Sequence, residues 1–407
     1  MSQDASPNPT YHPWLHYYAI VLVLATFALI GIGGNVTSLG AGMAVPDGWT
    51  SFGHFLWSTP LEKWYYDVGT FWEHSHRLVG SVVGLLTIGL TTWLWIGPIT
   101  RSLHRSAELL GLTEFKLWRH AETFRIRPWL RWLGIGAFVL VCVQGALGAI
   151  RVEEDSLALA AIHGVVGQVF FVLVVLAAVA TGQTWLSRRS PEQRQRNRQR
   201  FPLLRHLSVA LVAVVVVQLV LGAAVRHMQA DRAIPDFPAN YGSLVPPMTQ
   251  QAIDQAIAER TPPPPPGAPA ATTPVNRDAF GNPLITAGEV HVHYAHRVLA
   301  AVVLLLAAAV VIQALRRAGE MHLVAGPVML LTSLLGLQIA LGAMVIWSET
   351  DPWMATLHQA AGAVILAVAA WLSLRVHLLG SGGVEQERAS RSAPAGPADS
   401  STQRQMA

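Results

Sequence analysis

The chain has 407 residues, of which 52% are hydrophobic and only 13% charged, with a mean hydropathy of +0.39. That composition excludes a large soluble enzyme and describes a polytopic membrane protein. The formal net charge of +4 does not indicate nucleic acid, because the basic residues cluster in loops between apolar runs, where they set membrane orientation.

A membrane-spanning helix needs about 20 mostly apolar residues. Eight runs meet that length, at 17–34, 72–96, 130–150, 162–185, 203–225, 294–315, 323–347 and 356–377. The stretch before the first run carries no Lys or Arg, so that run reads as a retained span and not as a cleaved signal. Arg101, Arg105, Lys116 and Arg119 follow the second run, Arg188 to Arg200 follow the fourth, and Arg316 and Arg317 follow the sixth. The alternate loops are nearly bare of Lys and Arg. The positive-inside rule therefore puts both termini in the cytoplasm. The single cysteine, Cys142, sits in an apolar run and forms no disulfide within the chain. The outer loop 227–288 contains five consecutive prolines at 262–266 and reads as an extended, mobile excursion. Within it, 248–260 is a candidate surface helix with Ile253 and Ile257 on one face. The polar tail 379–407 reads as disordered.

The runs repeat. Glu73-x-x-His76-Arg77 opens the second run and His293-x-x-His296-Arg297 opens the sixth. Gln144 to Gly148 in the third run matches Gln338 to Gly342 in the seventh, and His163 in the fourth matches His358 in the eighth. Gln218 to Gly222 lies in the fifth run, and the first ends on Gly33. Four spans per half is an even number, so the halves are parallel repeats related by an axis along the membrane normal. The expected fold is all-α: eight transmembrane helices as two four-helix bundles. The expected divisions are a tail 1–16, an N-terminal half 17–190, a basic cytoplasmic linker 191–202, and a C-terminal half 203–378.

An ionisable side chain inside a membrane segment is costly and marks a functional site. Under this topology His76, His163, His296 and His358 lie at one level, about one turn below the outer surface, two per bundle. The residue four positions on is small each time: Gly80, Gly167, Ala300 and Gly362. Residues at i and i+4 share a helix face, so a flat macrocycle ligated at the histidine finds bare backbone beside it. Bis-histidine haem fits; close helix packing through small residues is the competing reading. Zinc or copper would want further N, S or carboxylate ligands.

Arg77 and Arg297 are candidates for haem propionates, since arginine pairs carboxylates bidentately; snorkelling to headgroups is the alternative. Glu73, three residues before His76, either serves as an acid-base group at the haem edge or complements the helix dipole. If the first holds, the N-terminal half does chemistry and the C-terminal half holds a fixed haem. The three glutamines are expected to bond across helices. His54, His74, His227, His291 and His293 read mostly as wet loop residues, and Glu153, Glu154, Asp155, Glu349 and Asp351 as loop charges capping the outer ends of the third and seventh spans.

With these residues laid out, the chain resembles the haem A synthase family of respiratory-oxidase assembly. The resemblance covers roughly 17–378 and rests on Glu73-x-x-His76-Arg77, the Gln-x-x-Leu-Gly motifs, His163, Tyr294-Ala-His296-Arg297, His358-Gln359, and the first outer loop from Ala41 to Asp47. The family oxidises a methyl substituent of haem O to the formyl group of haem A. By resemblance, His296 and His358, with Arg297, Ala300 and Gly362, would hold a resident haem b. His76 and His163, with Arg77, Gly80 and Gly167, would hold the substrate, with Glu73 as the essential acid. Two axial histidines leave the iron no open position, so electron removal followed by attack of water is the expected route. A cysteine pair found in the first outer loop of some members is missing here.

The resemblance also implies a bacterial cytoplasmic membrane, haem sites towards its outer face, haem O handed over by a haem O synthase, and an unidentified electron acceptor. Membrane lipid surrounds the chain, and a homo-oligomer stays open. The rival readings are a dihaem cytochrome b exchanging electrons with quinone, and a haem transporter or chaperone.

Overall fold

The computed structural model describes residues 11–109, 126–183, 202–261, 276–278, 283–316 and 324–378. The first ten residues, nearly all of the linker 191–202, the proline run 262–266 and the tail 379–407 lie outside the described residues.

Nine α-helices make up the described chain: α1 (Pro13–Ser38), α2 (Val68–Leu109), α3 (Pro128–Glu153), α4 (Leu157–Thr181), α5 (Pro202–His227), α6 (Gln250–Arg260), α7 (Ala287–Leu315), α8 (Ala325–Trp347) and α9 (Pro352–Leu378). All but α6 are long and apolar enough to cross a bilayer, as the eight sequence runs require. Proline opens α1, α3, α5 and α9, where its missing N–H is lost without cost.

The four histidine-bearing helices all begin before their apolar runs, and in each case a polar side chain caps the earlier start. Asp67 accepts from the Thr70 amide at 2.8 Å to open α2. Ser156 accepts from Leu159 at 3.3 Å to open α4. Thr286 and Glu289 form a reciprocal capping box on α7. Asp351 accepts from Trp353 and Met354, at 2.9 and 3.0 Å, to open α9, and so caps the span after it, not the expected one before it. The histidines consequently lie in the second or third turn of their helices. His291 and His293 become helical residues of α7.

In the N-terminal half α1 packs on α2 and α4, and α3 bridges α2 and α4. In the C-terminal half α5 packs on α7 and α9, and α8 packs on α9 and α7. Each half has its own apolar core. The halves meet through α1–α9, α4–α9 and α4–α5, the pattern a two-fold repeat produces. Ala360, Ala361, Ala363 and Ala367 let the backbone of α9 approach its neighbours closely. At the histidine end the Thr356 hydroxyl of α9 donates to Asn35 of α1 at 3.0 Å, the Ser38 hydroxyl donates to the Pro352 carbonyl at 3.1 Å, and Arg226 of α5 donates to Ser38.

The described part of the long loop is built on a short helix. Helix α6 buries Ile253 against Val225, Ala230, Ile234 and Val290, tying the loop to the ends of α5 and α7. Arg277 holds Asp254 of α6 at 2.5 Å.

Candidate functional site

The pairing inferred from the repeat is the one observed. The rings of His76 and His163 face each other with centroids 6.3 Å apart and planes at 73°. Those of His296 and His358 are 6.5 Å apart at 69°. Two imidazoles bound axially to one metal, each nitrogen about 2 Å from it, place their centroids about 6.3 Å apart. Among the described residues no cluster of three or more His, Cys, Asp or Glu could hold a metal ion. Each pair thus offers only two donors, which suits a metal arriving in a macrocycle with its own equatorial nitrogens. His76, His163 and His358 each keep a buried Nδ1 with no hydrogen-bond partner, unspent polar capacity of the kind a bound group satisfies.

Every ring rests on a glycine of the neighbouring helix. A Cβ at Gly33 would fall 2.9 Å from Cε1 of His76, one at Gly148 3.3 Å from His163, and one at Gly222 or Gly342 3.1 Å from His296 or His358. The glutamine one turn before the glycine secures the same partner. Gln144 donates to the His163 carbonyl at 3.0 Å, Gln218 to His296 at 3.0 Å and Gln338 to His358 at 3.1 Å. The Gln-x-x-Leu-Gly motif is therefore a histidine seat, with the glycine admitting the ring and the amide capping its backbone. On α1 Leu29 occupies the glutamine's place, so His76 has the glycine without the amide.

The small residues four positions after each histidine do different work on different helices. Beside His76, a Cβ at Gly80 would meet only Leu29 at 3.9 Å, and one at Gly84 would meet nothing, leaving an open strip of backbone along α2. At Gly167 a Cβ would fall 2.6 Å from Gln144, and at Gly362 3.1 Å from Leu219, so those glycines allow close helix packing. Ala300 and Leu304 continue the His296 face and offer no such strip.

The two arginines that follow the histidines are occupied. Arg77 donates to the carbonyls of Asp47 at 2.5 Å, Thr50 at 2.7 Å and Val45 at 3.3 Å, and to Glu73 at 2.8 Å. Arg297 donates to Ile234 at 3.1 Å, Asp236 at 2.8 Å, Ala239 at 3.0 Å, the Asn240 side chain at 3.1 Å and His293 at 3.2 Å. Both gather the loop over their own bundle. The carboxylate of Glu73 helps to hold the first loop as well. It accepts from Arg77 and from the Val45 amide, each at 2.8 Å, and no hydrogen bond joins it to His76 among the described residues.

The clamped loops are copies of each other, a repeat that inspection of the helices alone misses. Ala44-Val-Pro-Asp47 through Phe52-Gly53 matches Ala233-Ile-Pro-Asp236 through Tyr241-Gly242. Asp47 accepts from the Gly53 amide at 2.5 Å and the Thr50 hydroxyl at 2.7 Å. Asp236 accepts from the Tyr241 and Gly242 amides at 2.7 and 2.6 Å. Each loop ends in two left-handed residues, Phe52 and Gly53 at φ 54 and 73°, Tyr241 and Gly242 at φ 56 and 78°, as a two-residue turn closing a bridge requires. The bridges are Ser51–His54 and Asn240–Ser243. His74 is buried and shares a 2.8 Å hydrogen bond with Ser51, and His293 is buried on Arg297; neither is the wet loop residue expected.

The architecture defines an integral multi-pass membrane protein of two fused four-helix bundles, each carrying a facing pair of histidines beneath an arginine-clamped loop. Residues 16–370 match the family of cytochrome oxidase assembly proteins, and the chain belongs to that family. Among similar proteins, the haem A synthase of Rhodopseudomonas palustris (strain BisB5) is 28% identical over 74% of this chain and 67% of its own length. That of Methylorubrum extorquens (strain PA1) is 25% identical over 90% of this chain and 88% of its own. That of Rhizorhabdus wittichii (strain RW1) is 23% identical over 91% and 96%.

Proposed function

We propose that this chain is a haem A synthase, oxidising the methyl substituent of haem O to the formyl group of haem A. The observation that carries the reading is the pair of imidazole couples, 6.3 and 6.5 Å between centroids, in a family whose curated relatives bear that name. With the oxygen drawn from water, the conversion releases protons and electrons in equal number, so the protein must pass electrons to an acceptor.

The N-terminal bundle takes haem O through His76 and His163. The open strip at Gly80 and Gly84 supports this, because a substrate must enter, turn over and leave, whereas a resident group can be packed in. His296 and His358, each secured by a glutamine, would hold a resident haem b, which would supply a one-electron carrier for the conversion. Glu73 is the acid of the reacting half. To take a proton it must share its carboxylate with Arg77, and at the matching place the C-terminal half has the imidazole of His293. That exchange of carboxylate for imidazole is the chemical difference between two otherwise matching clamps. The loops and histidine sites face the outer side of a bacterial cytoplasmic membrane, consistent with the bare outer loops and basic inner ones.

Co-expression with a haem O synthase, followed by chromatography of the extracted haems, tests the function. Haem A should accumulate only when both proteins are present. Bound haem with no new product would favour a dihaem electron carrier or a haem carrier instead.

A further inference from the structure

We propose that Arg151 is the anchor for a carboxylate of the porphyrin substrate in the N-terminal bundle; this rests on the haem reading of the His76–His163 pair. Arg77 and Arg297, the arginines beside the histidines, are saturated by loop carbonyls and their own helix neighbours. Arg226 donates to Ser38 and, at 3.4 Å, to the Gly34 carbonyl. Arg151 alone of these four makes no hydrogen bond or ion pair through its guanidinium to any described residue, and its Nε is buried without a partner.

Its position is the right one. Arg151 lies in the last turn of α3, one turn beyond Gly148, the seat of His163. That turn rises about 5 Å, comparable to the reach from a porphyrin ring to its propionate carboxylate. The guanidinium lies under the first loop, where a Cβ at Gly42 would fall 2.9 Å from Nη1. The carboxylate in its field, Glu73, is already paired with Arg77 and Val45. The site therefore holds a surplus positive charge, partly desolvated, with its fork of donors unspent. Such a group is costly unless an anion completes it, and a guanidinium matches a carboxylate in a bidentate way. In the other bundle the equivalent position, seven residues after the glutamine, is Val345. The unspent cation thus belongs to the half whose occupant must be recognised anew at each turnover.

The test is a Soret titration of full-length protein with iron protoporphyrin IX and with its dimethyl ester, in a His358→Ala background so that only the N-terminal pair titrates. With Arg151 intact, the diacid should bind about tenfold tighter than the ester or better, as expected for a charge-assisted hydrogen bond. Arg151→Met should bring the two affinities together, and Arg151→Lys should restore part of the gap. A gap that persists in full in Arg151→Met, or no gap with Arg151 present, overturns the proposal. The second criterion needs no arginine variant and so survives a folding defect. If neither porphyrin gives a six-coordinate spectrum, the haem reading itself fails; binding of both without preference removes only the role of Arg151.

Discussion

Oε1 of Glu73 and Nη2 of Arg77 lie 2.8 Å apart, with the carboxylate 1% and the guanidinium 14% exposed. The pair sits one turn from a ring that faces His163, and it stitches α2 to the first loop. Removing one partner of a buried ion pair leaves the other charge stranded, at a cost of about 3–5 kcal/mol. Glu73→Gln keeps the shape and an acceptor for Val45 but removes the charge and the proton site. It should abolish conversion of haem O while the C-terminal pair keeps its haem, read by chromatography of extracted haems and by reduced-minus-oxidised spectra. Unchanged haem A production would remove Glu73 from the reaction.

The two histidine pairs are separate sites and should fail separately. His163→Ala and His358→Ala should each erase the low-spin signature of one site and leave the other, and the double variant should erase both. Electron paramagnetic resonance of the purified proteins decides this. Loss of both signals on a single substitution would mean that the couples do not act independently.

The glycine seats predict a graded response. A methyl group at Gly33 would press on Cε1 of His76 at 2.9 Å, whereas one at Gly136 would meet nothing within 4 Å. Gly33→Ala should cost about 1–3 kcal/mol as overpacking and weaken ligation at the N-terminal pair. Gly136→Ala should be neutral or gain about 0.5–1 kcal/mol from reduced chain entropy. Thermal unfolding in detergent with the Soret band as probe separates them; equal behaviour would contradict the close seating of His76.

The twin loops should loosen in acid. The Gly53 amide, then the Thr50 hydroxyl, hold the Asp47 carboxyl below its usual range. Burial pushes Asp236 upwards, but the Gly242 and Tyr241 amides and Arg260 outweigh it and leave that group lowered as well. A depressed folded value stabilises above the unfolded value of about 3.9 and loses that contribution as pH falls through the folded one. Hydrogen exchange at Gly53, Tyr241 and Gly242 should be slow and constant from neutral pH to about 4 and should accelerate below it, once corrected for intrinsic rates. Asp236→Asn should remove the acid step in its own loop and leave it in the first.

The eight spans, the four histidines and the pairing of α2 with α4 and α7 with α9 are all legible in the chain, because apolar length and polar residues inside it are local signals. The order of matching residues carries the repeat. Apolar runs alone misplace the helix starts. The caps at Asp67, Ser156, Thr286 and Asp351 extend each helix past its run, and Thr286-x-x-Glu289 is a readable signature of this. The second copy of the loop motif is equally readable.

Sequence by itself determined which side chains fall at matching places in matching apolar runs and that they come in matched sets, since a helix places residues by simple periodicity. Only the tertiary structure decided which of the arginines near the histidines keeps its guanidinium unpaired among the described residues, and where the Glu73 carboxylate points. Those outcomes depend on carbonyls and amides contributed by loops some thirty to sixty residues away, and hydrogen-bonding groups that converge from separate segments leave no periodic mark in the chain that carries them.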